Sequence, residues 1–151
     1  MKASEFAGLI HECCSEVLDS MFFTTVLGSV PLETTVEDAD ELLAYSLQFG
    51  GDISGQFGLH LNRDTARILA ANFLGAADAD ISCNDITEVI GELANILCGS
   101  VMSRVEGEHR FVLSHPLAGS RTLSGADDFL TCALDTDSGS ITIWVQIEGN
   151  P

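Results

Sequence analysis

Glu92 and Asn95 stand three residues apart in a stretch with the apolar periodicity of a helix, and residues at that spacing are neighbours on one helical face. At about 100° per residue, Asp85, Glu88, Glu92, Asn95, Gly99 and Ser103 fall in one polar stripe, and Ile86, Ile90, Leu93, Leu97 and Val101 fall opposite it. The stripe can be a docking face that presents an active carboxamide. The same periodicity also describes an ordinary solvated face, in which Glu is simply a good helix former. Gly99 lies one turn beyond Asn95. A glycine inside a helix costs roughly 0.5–1 kcal/mol against alanine, and its benefit here would be room for a partner's backbone to approach Asn95.

Other chemistries find little support. The four histidines, His11, His60, His109 and His115, are not accompanied by any C-x-x-C pair, so neither a metal site nor a Cys-His nucleophile is expected. The cysteines, Cys13, Cys14, Cys83, Cys98 and Cys132, are odd in number and contain no C-x-x-C pair. Reduced, mostly buried thiols are the expectation. The only lysine is Lys2, so there is no phosphate loop of the Walker type. A formal net charge of −17 disfavours nucleic acid and anionic membrane, which both need basic contacts. No continuous apolar run approaches the ~20 residues of a membrane span, and the acidic start lacks an apolar signal region. The expected setting is cytoplasmic. A chain of 151 residues, 46% hydrophobic, suits one domain with a sizeable core.

The elements that must hold the polar stripe follow from periodicity and punctuation. Residues 4–23 read as an amphipathic helix with Phe6, Ile10, Cys13, Val17 and Met21 inward and Ser4 as N-cap. Residues 31–41 read as a polar loop. Strands are expected at 42–49 and 52–61 around a Gly50-Gly51 turn. Asn62 can cap a helix that Gly75 stops. A long helix is expected from about Asn84 to Glu106, then a short strand near 110–114 and an unassigned stretch around 116–124. A last hairpin of 128–135 and 140–148 turns at Asp137-Ser138-Gly139.

The two long helices match each other. The offset that lays Glu16 on Glu92 also pairs Ile10 with Ile86, Glu12 with Glu88, Val17 with Leu93, Asp19 with Asn95 and Asp52 with Asp128. It is about half the chain, which suggests a single domain of two related units, about 1–75 and 76–151.

The string from Asp85 to Ser100 resembles the signature helix of the CheC/CheX chemotaxis phosphatases, a Glu-x-x-Asn core with a preceding Gly and a Gly four residues after the Asn. Gly91, Glu92, Asn95 and Gly99 match it. Gly51-Asp52-Ile53-Ser54-Gly55, Phe73-Leu74-Gly75 and Glu16-Val17-Leu18-Asp19-Ser20-Met21 resemble the CheX branch. The resemblance implies an α+β fold, an antiparallel sheet with two long helices packed on it and internal pseudo-twofold duplication. It implies Glu92 and Asn95 as catalytic residues, with Glu88, Gly91, Gly99 and Ser103 on the docking face. It also implies a phosphorylated CheY-like response regulator as partner, carrying its own Mg2+, with no cofactor or metal held by this chain, and a homodimer formed through the sheet. An amide can orient the water that attacks an aspartyl phosphate, and Glu92 can pair with the partner's lysine.

The first helix departs from the two-helix members of the family. Asp19 replaces the amide beside Glu16, and Phe23 stands where Gly99 stands in the second copy. Both changes argue against docking there, which leaves Glu16 and Asp19 as a degenerate equivalent of the site. The competing readings are a non-catalytic module of the same fold that sequesters or senses a response regulator, and a structural relative of flagellar switch components.

Overall fold

A computed structural model describes residues 3–32, 42–51, 54–105, 111–113, 117–118 and 129–147. The elements run α1 (Ala3–Phe22), β1 (Val26–Leu32), β2 (Leu42–Gly51), β3 (Gly55–Asn62), α2 (Arg63–Leu74), a 3-10 turn (Asp78–Asp80), α3 (Cys83–Val105), β4 (Phe111–Leu113), β5 (Leu117–Ala118), β6 (Phe129–Thr136) and β7 (Gly139–Ile147). The strands form one antiparallel sheet in the order β1-β6-β7-β3-β2-β4, with β5 also on β2. The fold is the expected α+β arrangement. Exchanging β1 with β4, β2 with β6 and β3 with β7 reverses this order onto itself, so the sheet carries a pseudo-twofold relation at the β3–β7 pair. One residue offset does not serve both layers, because β3 begins at Gly55 and β7 at Gly139, a wider spacing than that between Glu16 and Glu92. The matched pair Asp52 and Asp128 lies outside the described residues.

Alternation decides which face of the sheet is buried under the helices. Tyr45 lies opposite Leu59, and Leu59 opposite Ile143. Ile143 lies opposite Cys132. All four belong to one core with Phe6, Ile10, Leu18, Ile90, Leu93 and Leu97 from the helices. The other face carries Ser46, Gly58, His60, Thr131 and Trp144. A Cβ on Gly58 would fall inside the Trp144 indole, so a glycine is required there.

Local chemistry sets the helix ends. Asn62 caps α2, its Oδ1 accepting from the Thr65 N–H at 2.7 Å, and Gly75 ends that helix in the left-handed region at φ 64°. Ser82 and Asp85 cap α3 reciprocally: Ser82 Oγ accepts from the Asp85 N–H and Asp85 Oδ2 from the Ser82 N–H, both at 3.0 Å. By length and composition α3 could cross a membrane, but half of that stretch is interior to this fold, where its apolar side meets α1, α2 and the sheet.

Several local expectations are corrected. Helix α1 begins at Ala3, so Ser4 is inside it rather than capping it. Met21 is 37% exposed and Phe22 takes its place inward, stacked on Phe73 with centroids 5.0 Å apart. Gly50 and Gly51 lie within β2, paired with Val112 and Phe111, and the hairpin turns after them. Pro31 and Leu32 belong to β1, an edge strand, rather than to the expected 31–41 loop, the rest of which lies outside the described residues. Of the unassigned 116–124 stretch, Leu117 and Ala118 form β5.

Candidate functional site

Helix α3 carries the candidate site because its buried side is continuous. Ile86, Ile90, Leu93, Leu97 and Val101 are all in the core, joined by Val89, Ala94, Cys98 and Met102. That burial fixes the rotation of the helix and turns the opposite stripe outward. Glu88, Glu92 and Ser103 are exposed, while Asp85, Asn95 and Gly99 are half-buried. The carboxamide of Asn95 thus sits at the base of an open face, one turn from the carboxylate of Glu92. Gly91 differs from the rest of the expected docking set. It is buried, because one helical step of about 100° takes it from the Glu92 side toward Ile90.

The stripe has internal order at both ends. Asn84 Nδ2 reaches Glu88 Oε1 at 3.5 Å, and the Ser103 hydroxyl donates back to the Gly99 carbonyl at 2.7 Å. Among the described residues, no ion pair or hydrogen bond engages the Glu92 carboxylate. No cluster of three His, Cys, Asp or Glu side chains that could hold a metal occurs among the described residues.

The equivalent stretch of α1 is arranged differently. Glu16 and Asp19 are exposed, but Glu16 is already engaged: Arg104, in the last turn of α3, places Nη2 at 2.5 Å from Glu16 Oε2 and Nη1 at 3.5 Å from Glu12 Oε1. No sequence signal marks this pairing, since it joins residues far apart in the chain. Phe23 does not stand on the helix face where Gly99 stands. Helix α1 ends at Phe22, and Phe23 turns out of it in the left-handed region at φ 49°, 74% exposed. The Asn72 amide caps the Phe22 carbonyl at 3.0 Å, and the Thr24 N–H reaches back to the Leu18 carbonyl at 3.0 Å.

The thiols complete the electrostatics. Cys13, Cys14, Cys98 and Cys132 are buried and Cys83 is exposed, all unbridged. Burial pushes Cys98 up to about 12 and Cys132 to about 11, and raises Cys13 and Cys14. None of the four is a poised nucleophile.

The sequence profile described as Chemotaxis phosphatase CheX matches residues 44–132, which include the whole of the Glu92 and Asn95 stretch. Among curated proteins no match is found. Solved structures with the same fold include a chemotaxis protein CheX from Desulfovibrio desulfuricans, 18% identical, with a TM-score of 0.71 over 95% of this chain and 99% of that one. A CheX-CheY-BeF3-Mg+2 complex from Borrelia burgdorferi is 15% identical, with a TM-score of 0.73 over 95% and 98%. A CheC-like superfamily protein from Shewanella sp. PV-4 is 16% identical, with a TM-score of 0.73 over 99% and 100%. At these identities the structures speak for the fold.

Proposed function

The chain belongs to the chemotaxis phosphatase CheX family, and on that premise we propose that it accelerates hydrolysis of the aspartyl phosphate on a CheY-like receiver domain. The observation that carries the reading is the open face of α3, with an unengaged Glu92 one turn from a half-buried Asn95. A receiver's phosphoryl group is charge-stabilised by the receiver's own Mg2+ and lysine; what it lacks is a held water. Phosphoryl transfer depends mainly on positioning and electrostatics. An amide suits the task because it donates and accepts without adding negative charge beside an anionic group. Half-burial restricts the Asn95 rotamer before the partner arrives, which lowers the ordering cost of the reactive geometry. Glu92 fixes the register by pairing with the partner's lysine.

The proposal extends to a homodimer working in the cytoplasm and to a chain duplicated as about 1–75 and 76–151; the self-reversing strand order supports the duplication. The deciding experiment follows phosphate release from phosphorylated CheY with and without this protein. Acceleration that saturates with protein concentration supports the phosphatase. Binding without acceleration would replace it with the sequestering module.

A further inference from the structure

The sequence offset between the two long helices lays Glu16 on Glu92, and their surroundings differ in one respect that bears on docking. Glu92 has no cationic neighbour among the described residues, whereas Glu16 is held by Arg104 together with Glu12. Glu12 and Glu16 are one turn apart on α1, so their like charges repel. The guanidinium fork reaches both, one nitrogen to each, and removes that repulsion. We propose that Arg104 is the specificity determinant that keeps receiver docking off α1, by supplying from within the chain the cation that a partner would otherwise bring. This rests on the reading that Glu92 docks through a partner's lysine.

The pair need not be strong. All three side chains are substantially solvent-exposed, at 31% for Arg104, 68% for Glu12 and 61% for Glu16, and exposed pairs add little to stability. A partner lysine arriving at Glu16 must displace Arg104. The guanidinium already occupies the Glu16 carboxylate, so the exchange gains less there than pairing with an unengaged carboxylate would, while the cost of association remains. At Glu92 the same lysine finds a carboxylate from which no cation has to be displaced. Phe23 does not take the helix-face position of Gly99, because it lies just past the end of α1.

The test measures binding of CheY loaded with Mg2+ and beryllofluoride, by calorimetric titration of the full chain. Glu92→Ala should weaken binding by about tenfold. Adding Arg104→Gln to Glu92→Ala should recover about fivefold through the freed α1 face, and further adding Glu16→Ala should abolish that recovery. Arg104→Met, which keeps the apolar stem, serves if the Gln variant loses helix signal in circular dichroism. Equal binding by Glu92→Ala and Glu92→Ala with Arg104→Gln would overturn the role of Arg104 alone. Recovery that survives Glu16→Ala would overturn it too, since the gain would then be a general change of charge. Parent-like binding by Glu92→Ala itself would sink the α3 docking reading, and this inference with it.

Discussion

Arg104 and Glu16 meet across the α1–α3 contact, Nη2 to Oε2 at 2.5 Å, while Glu92 on the matching stretch of α3 meets no cation among the described residues. Two carboxylates that the sequence offset pairs therefore differ in availability. One is satisfied inside the chain and the other is open to a partner. Surface pairs of this kind are screened by salt, so the contrast concerns which face is occupied rather than how stable the fold is.

Asn95→Ala removes the amide that holds the water. Its expected effect is a loss of accelerated dephosphorylation on the order of 10²-fold or more, as for removal of a positioned transition-state donor, with receiver affinity nearly unchanged. Asn95→Asp should be at least as damaging, because it adds like charge beside the phosphoryl group. Asp19→Ala on α1 should leave the rate near the parent value. Parallel measurement of phosphate release and binding separates these outcomes, and a parent-like rate for Asn95→Ala would remove the mechanism.

For Glu92→Ala the signature is salt dependence. Docking should weaken most at low ionic strength, and the difference from the parent should shrink as salt is raised. A defect indifferent to salt would point to altered helix geometry instead. Replacing Gly99 by a bulky residue should impair docking through contact alone; unchanged affinity would remove the reason given for that glycine.

Phe23→Gly should stabilise the protein. Phe23 adopts φ 49° just past the end of α1 and is 74% exposed. Glycine relieves the cost of the left-handed backbone, about 1 kcal/mol, and little buried area is lost. The thermal midpoint should rise. A large fall would mean that the Phe23 ring contributes packing that its exposure does not suggest.

The buried thiols set an alkaline limit. An unfolded cysteine releases its proton near the ordinary value of 9.0, while folded Cys132 and Cys98 hold theirs to about 11 and about 12. The unfolded state is therefore the first to gain from deprotonation. The contribution is fully present below about pH 9 and is lost as pH rises through 11 and 12. Denaturant midpoints measured from pH 7 to 11 should decline only above about 9. At neutral pH a thiol reagent should modify exposed Cys83 promptly and the other four cysteines only on unfolding.

Gly58→Ala tests the centre of the sheet. The added methyl would collide with the fully buried Trp144 ring on the paired strand β7. Overpacking of this kind costs about 1–3 kcal/mol, and a parent-like midpoint would show that the indole can move aside.

The helices were largely legible in the sequence because their signals are local. Asn62 and Gly75 bracket α2 as their side-chain and backbone chemistry dictates, and the period of Ile86 through Val101 fixed both the core side and the open side of α3. The strand errors have physical causes. Gly50-Gly51 looks like a turn, yet in β2 it pairs with β4, and pairing between distant segments leaves no local mark. Strand β1, Val-Leu-Gly-Ser-Val-Pro-Leu, hides because an edge strand tolerates Gly and Pro and exposes Leu27 and Val30. Phe23 continues the expected helix of residues 4–23 in sequence, yet it lies just past the end of α1, in the left-handed region. The engagement of Glu16 by Arg104 is a long-range contact, which no spacing rule could reveal.

The strands before Gly75 and those after it interleave in the sheet: β1 borders β6, β3 borders β7, and β4 borders β2. Neither half can finish its own sheet, since each leaves open edges that only the other covers. During synthesis β3 stays without its β7 neighbour until the last strand has emerged, so the sheet centre must close late and slowly. Two chains caught at that stage could each lend the other its second half, a direct route to exchanged dimers. Conversely, a chain cut in the segment after α2 should regain its form only when both pieces are present together, by fragment complementation.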